Sequence, residues 1–265
     1  MPKEHSPNGT IVVKIGGSTL GEHDTTLDDL VSLQREGANP IVVHGGGKTI
    51  SEWMAAQNVR PVFKNGLRVT DKDSLQIVVA VLAGLINKEL VSQLATAGAR
   101  AIGLSGADGG MLTAKVKDPE LGYVGEVTEV DTDPILAASQ SGYIPVIAPV
   151  ARCATDDPTY PNSLMNINAD TAAGEIAGAL RADRLYFLTD VEGVLDRGHR
   201  LIPRITERQA KALTSAGTIS GGMIPKIEAC VRALRSGSES HIIDGRKPGA
   251  LRESLNGAFL GTRIG

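Results

Sequence analysis

The sequence predicts an α/β protein built on an open, mainly parallel sheet sandwiched by helices and divided into two lobes. Three observations carry that expectation. Short β-branched apolar runs recur at residues 11–15, 40–44, 100–104, 143–147, 184–188 and 241–243, with helical periodicity between them. Several of these runs end in Gly, Asn or Asp, residues that turn a strand into a loop at the ligand-bearing carboxyl edge of such a sheet. A chain of 265 residues with 42% hydrophobic content is also large enough for a substantial core.

The first run (IVVKI) passes into Gly16, Gly17 and Ser18. Leu27, Leu30, Val31 and Leu33 then fall at helical spacing, which predicts a helix over 24–36 closed by Gly37. The second strand, 40–44, ends in Gly45-Gly46-Gly47-Lys48, and a helical pattern follows around Ile50, Trp53 and Met54. Asn65-Gly66 between β-prone residues predicts a hairpin over 61–70. A long helix over 71–97 follows, with Asp71 as its N-cap and Gly98 as its stop. The strand at 100–104 opens into SGADGG (105–110), whose glycines do not fit G-x-G-x-x-G.

Residues 111–130 read as strands with turns, 134–140 as a helix and 143–147 as a core strand. Segment 149–166, rich in Pro, Asp, Thr and Asn and without periodicity, marks the expected lobe boundary, giving lobes of 1–165 and 166–265. An alanine-rich helix begins near Ala169, entered through Asn166, Asn168 and Asp170. A strand (184–188), a hairpin-like piece, helices at 206–215 and 224–237, a strand at 241–243, a short helix and a closing strand at 259–264 complete the chain.

Bulk properties exclude several function classes. A net charge of -3 offers no basic field for a polyanion, and 3% aromatics give few stacking platforms, so no nucleic-acid partner is expected. Cys153 and Cys230 show no metal-ligand spacing. No stretch approaches 18 uninterrupted apolar residues and the start has no apolar export segment, so a cytoplasmic protein without a membrane partner is expected.

Two features point to chemistry. Lys14 interrupts a core strand, where a charge is costly unless an anion meets it or its stem carries the ammonium out to solvent. Two strand-to-glycine turns, at 16–17 and 45–47, can each aim backbone N–H groups at phosphate. A P-loop ending at Gly47-Lys48-Thr49 fails on register, because it requires glycine where Val42 stands inside the strand.

The ordered set IVVKIGG, VVHGGGK, NGLRVTD, MNINAD, FLTDVEGVLD, SGGMIPK and LGTRI resembles the amino-acid kinase family, and within it most closely the acetylglutamate kinases. The resemblance runs over nearly the whole chain. It implies the amino-acid kinase fold and transfer of phosphate from ATP, with Mg2+ held mainly by the nucleotide, to the γ-carboxylate of N-acetyl-L-glutamate in arginine biosynthesis. A carboxylate nucleophile is already ionised at neutral pH, so that reaction needs charge neutralisation and alignment rather than a base.

By resemblance, Lys14 and Lys226 are the catalytic cations and Asp170 orders them. Gly16 and Gly17 are phosphate donors. Gly46, Gly47, Arg68 and Asn166 bind the amino acid, Arg68 gripping its α-carboxylate. Asp190, Val191, Glu192, Gly193, Val194 and Leu195, with Thr218, Ile219 and Ser220, bind the nucleotide. No protein metal ligand is implied, and His44 reads as structural. The 1–165 lobe would bind the amino acid and dimerise, and the 166–265 lobe would bind ATP. Arginine-inhibited relatives carry an extra N-terminal helix. The stretch here contains Pro2, Pro7 and Gly9, so a homodimer without strong arginine feedback is expected. A sister kinase of the aminoadipate type and a non-catalytic sensor are the competing readings.

Overall fold

A computed structural model of the chain describes residues 9–16, 25–154, 160 and 163–265. Gly17 lies outside these residues. An eight-stranded sheet runs in the order Arg204–Ile205, Thr262–Ile264, Glu239–Asp244, Arg184–Thr189, Thr10–Ile15, Asn39–His44, Ile144–Ala148, Ala101–Ser105. All neighbours are parallel except Glu239–Asp244 with Thr262–Ile264. The β-branched runs therefore become interior strands, except that at 100–104, which forms one edge, and the lysine-bearing strand lies in the middle of the sheet.

Lys14 pairs with Phe187 on one side and Val43 on the other. By strand alternation it shares a face with Val12, the face that packs with Ala172, Ala173 and Ile176 of the helix Ala169–Leu180. Small residues bring this helix close to a second one, Met223–Arg235. At Gly174, an added Cβ would stand 2.8 Å from that of Ala229. Asp170 lies one turn before Gly174, and Lys226 one turn before Ala229, so this tight crossing stacks aspartate against lysine.

A smaller sheet runs in the order Leu164–Asn166, Val150–Cys153, Leu112–Val116, Gly125–Val130. Segment 149–166 thus contributes two strands despite its lack of periodicity, because pairing with neighbours outweighs composition. The hairpin forms as expected from Phe63–Lys64 and Leu67–Arg68, with Asn65 and Gly66 both at positive φ in its turn.

The long helix covers Lys72–Thr96, with Ser74 N–H donating to the Asp71 carboxylate at its start. Its middle turns, Ala80–Ile86, are wound as a π-helix, which periodicity does not reveal. Among the described residues this is the one helix long and apolar enough to cross a bilayer, with mean hydropathy 1.6 over its best window. Ile77, Val78, Val81, Leu82, Leu90 and Leu94 pack into the core.

Candidate active site

The carboxyl ends of the central strands share one edge, and the charged residues gather there. Lys14 Nζ lies 2.9 Å from Asp170 Oδ1, and Lys226 Nζ donates to Asp170 Oδ2 at 2.7 Å. The Lys14 contact is an ion pair whose direction falls short of a hydrogen bond. Lys14 and Asp170 are both buried. Burial works against the Asp170 charge, but the two ammonium groups outweigh it and hold the carboxyl below its ordinary range. Asp170 is not spent on capping its helix. Asn168 does that, its Oδ1 accepting from the N–H groups of Asp170 and Thr171 at 3.0 Å each. Among the described residues two cations thus share one anion, a net positive charge at a partly buried site.

The second glycine turn stands beside this cluster. Gly45 N–H donates to Ile15 O at 3.0 Å, and Gly46 precedes the helix Gly47–Ala56. A side chain on Gly46 would overlap Ile86 and Leu82 from the π-wound turns. Around Gly47 the space is open, so the helix N-terminus faces an accessible cavity. That cavity, of about 230 Å3, is lined by Lys14, Gly45, Gly46, Gly47, Arg68, Asn166 and Asp170 together with apolar residues that include Ile50, Leu82 and Val124. Gly16 N–H points to Leu188 O at 3.4 Å.

Arg68 enters the cavity from the hairpin. Its guanidinium donates to Gly47 O and Ser51 Oγ at 2.8 Å each, reaches Met54 Sδ at 3.1 Å, and lies 4.8 Å over the Phe63 ring. Burial lowers its pKa. Among the described residues it meets neutral acceptors only, which leaves its charge for an incoming carboxylate.

The segments expected to hold the nucleotide flank the same edge but do not line this cavity. Asp190, Val191 and Glu192 are exposed, whereas Gly193 and Val194 are buried and Leu195 forms a bridge with Leu201. Val194 N–H donates to Thr262 Oγ1 at 2.8 Å, and Gly193 adopts φ 152 against the same threonine. The N–H groups of Thr218 and Ile219 both reach Leu213 O, and the Ser220 carbonyl accepts from Met223 at the start of the Lys226 helix. Arg197 Nη2 donates to Ala216 O at 2.7 Å, tying the two segments together. Val194 and Ile219 bury their side chains, so only their backbones remain for a ligand.

The profile of the amino acid kinase family matches residues 9–244. The chain belongs to this family. An acetylglutamate kinase of Dehalococcoides mccartyi is 42% identical over 264 residues, covering 100% of this chain and 97% of its own length. One of Agrobacterium fabrum is 48% identical, covering 97% of this chain and 91% of its own. A Streptococcus mutans protein of known crystal structure superposes with a TM-score of 0.82 at 31% identity, covering 96% of this chain and 98% of its own.

Other residues in this member of the amino acid kinase family take supporting parts. Lys48 is exposed and pairs with Glu52 at 4.0 Å on its own helix, away from the cluster, so the P-loop reading fails in space as in register. His44 is buried. Its Nδ1 donates to Gly45 O at 3.1 Å, which leaves Nε2 to accept from Asn87 Nδ2 at 3.2 Å. Burial, with Lys14 and Lys88 nearby, lowers its pKa to about 4, so at neutral pH it is an uncharged brace for the glycine turn. Among the described residues no three His, Cys, Asp or Glu side chains cluster to hold a metal. Ser51 and the apolar wall of Ile50, Leu82 and Val124 are the site residues sequence reasoning missed, and Asn168 was placed at the helix entry without its capping role. Asn168 was visible within MNINAD, but the wall is indistinguishable from ordinary core periodicity.

Proposed function

We infer that the protein is an acetylglutamate kinase, phosphorylating the side-chain carboxylate of N-acetyl-L-glutamate with ATP in arginine biosynthesis. The observation that carries this reading is the composition of the cavity. Among the described residues its titratable lining is Lys14, Arg68 and Asp170, and Asp170 is held by two lysines. The described residues offer no free base to deprotonate an alcohol, and the two cations suit a nucleophile that arrives ionised. The names and extent of the relatives support the same substrate.

In this reading Arg68 and Asn166 hold the amino acid with its side-chain carboxylate towards Lys14. Lys14 and Lys226 neutralise charge on the transferring phosphoryl group, and Asp170 keeps both ammonium groups in position. N–H groups of Gly46 and Gly47 assist from the helix start, and the glycine pair Gly16-Gly17 after the first strand is assigned to the phosphates. Residues 190–195 and 218–220 hold the nucleotide. Mg2+ would be carried mainly by nucleotide oxygens and water, screening charge between the phosphates. The amino acid belongs to the 1–165 lobe and ATP to 166–265, in a cytoplasmic setting that keeps both cysteines reduced.

A hydroxamate-trapping assay with ATP, Mg2+ and a panel of N-acetyl-L-glutamate, glutamate, aspartate and N-acetylaminoadipate tests the assignment. N-acetyl-L-glutamate is expected to give the strongest signal. Preference for N-acetylaminoadipate would favour the sister kinase, and no signal from any compound would leave the sensor reading.

We also propose a homodimer. Ala101–Ser105 is an open edge of the main sheet with Ile102 exposed. The apolar helix Lys72–Thr96 beside it buries only 39% of its most hydrophobic window and exposes Ala80 and Gly84. Sedimentation velocity at micromolar concentration is expected to give a dimer, and a monomer would overturn the proposal.

A further inference from the structure

Thr70 is fully buried two residues beyond Arg68, and its hydroxyl joins the two residues assigned to the amino acid. Thr70 Oγ1 lies 2.9 Å from the Arg68 carbonyl oxygen and 3.0 Å from the side-chain amide of Asn166. A hydroxyl has one proton, and a carbonyl oxygen can only accept. The Thr70 proton therefore goes to Arg68 O, and the Asn166 atom facing Thr70 must be the donor, Nδ2. This fixes the amide orientation by bonding logic, independent of how similar the two amide ends look.

The backbone makes the arrangement rigid. Thr70 N–H donates to Leu121 O at 2.9 Å, and Tyr123 N–H donates to Thr70 O at 2.7 Å. Asn166 N–H in turn donates to Tyr123 O at 2.8 Å. Thr70 and Asn166 are thus referenced to the same stretch, 121–123. Gly122, at φ 68, has no Cβ where one would overlap the Thr70 carbonyl.

We propose that Thr70 is a positioning residue for substrate selection: by holding Asn166 Nδ2 it leaves Asn166 Oδ1 as an acceptor for the amide N–H of an N-acylated amino acid. This rests on the kinase reading and deepens it. The recognised feature is the N–H itself, separate from the two carboxylates that the cations read. An ester in its place would set oxygen lone pairs against Oδ1, with no proton between them.

The test pairs Thr70 variants with an isosteric substrate, (S)-2-acetoxyglutarate, in which ester oxygen replaces the N–H of N-acetyl-L-glutamate. Acyl phosphate formation is measured with both compounds on each protein preparation, so partial unfolding cancels from the ratio. The unaltered protein is expected to favour the amide by about 10²-fold in kcat/KM, the scale of leaving one buried acceptor without its donor. Thr70→Ser should keep that ratio. Thr70→Val and Thr70→Ala should reduce it to about tenfold or less, chiefly through a higher KM for the amide with KM for ATP unchanged. A ratio that survives in both Thr70→Val and Thr70→Ala, or that is lost equally in Thr70→Ser, overturns the role of Thr70. An unaltered protein that phosphorylates neither compound overturns the kinase reading and this proposal with it.

Discussion

Lys14→Ala is expected to lower kcat about 10³-fold, the scale reached when one preorganised charge-stabilising group is removed from a water-poor site. Lys14 stands on an interior strand of the sheet, buried, and its ammonium is 2.9 Å from Asp170. Its loss would remove the cation proposed to meet the transferring phosphoryl group and, among the described residues, would leave Asp170 paired with Lys226. The KM for N-acetyl-L-glutamate should change much less, since recognition of that substrate is assigned in the proposed function to Arg68 and Asn166. Lys226→Ala should behave alike, whereas Lys48→Ala, on an exposed lysine paired to its own helix, should leave turnover within about twofold. Steady-state ADP release measures all three. Retention of a tenth or more of the activity by Lys14→Ala, with collapse in Lys48→Ala, would return the chemistry to a P-loop.

Arg68→Ala should raise the KM for N-acetyl-L-glutamate by about 10- to 10²-fold, the equivalent of about 1.5–3 kcal/mol for hydrogen bonds to a charged group. The KM for ATP should stay unchanged. Arg68→Lys should recover little, because one ammonium cannot reproduce a planar fork that already contacts Gly47 O, Ser51 Oγ and the Phe63 face. If Arg68→Ala lowered kcat without affecting this KM, the guanidinium would belong with the transferring phosphoryl group instead.

Much of this site is legible in the sequence because its residues break local rules. Lys14 is a charge within an apolar run, and the glycines at 45–47 follow a strand where a helix should begin at once. What joins them is not local. Nothing in the sequence around Asp170 says whether it caps its helix or faces the lysines. The structure decides, because Asn168 takes the cap and the Gly174–Ala229 contact sets Lys226 against the free carboxylate.

Strands buried on both faces announce themselves, whereas Val150–Cys153 and Leu164–Asn166 owe their form to partners that are distant in the chain. The π-wound turns at Ala80–Ile86 preserve apolar spacing and so leave no trace, although they set Leu82 and Ile86 against Gly46. Thr70 escaped notice for a different reason. A threonine between Arg68 and Asp71 looks like turn chemistry until both partners of its hydroxyl are known.

In the proposed reaction an ionised side-chain carboxylate attacks phosphorus beside the Lys14–Asp170–Lys226 cluster. N-acetyl-L-glutamate labelled with 18O in both side-chain carboxylate oxygens tests it, using ATP and hydroxylamine trapping followed by 31P NMR of the released phosphate. Hydroxylamine attacks the acyl carbon, so the bridging oxygen leaves with phosphorus. The account predicts inorganic phosphate carrying one 18O from the carboxylate; phosphate free of label, despite hydroxamate formation, would contradict it.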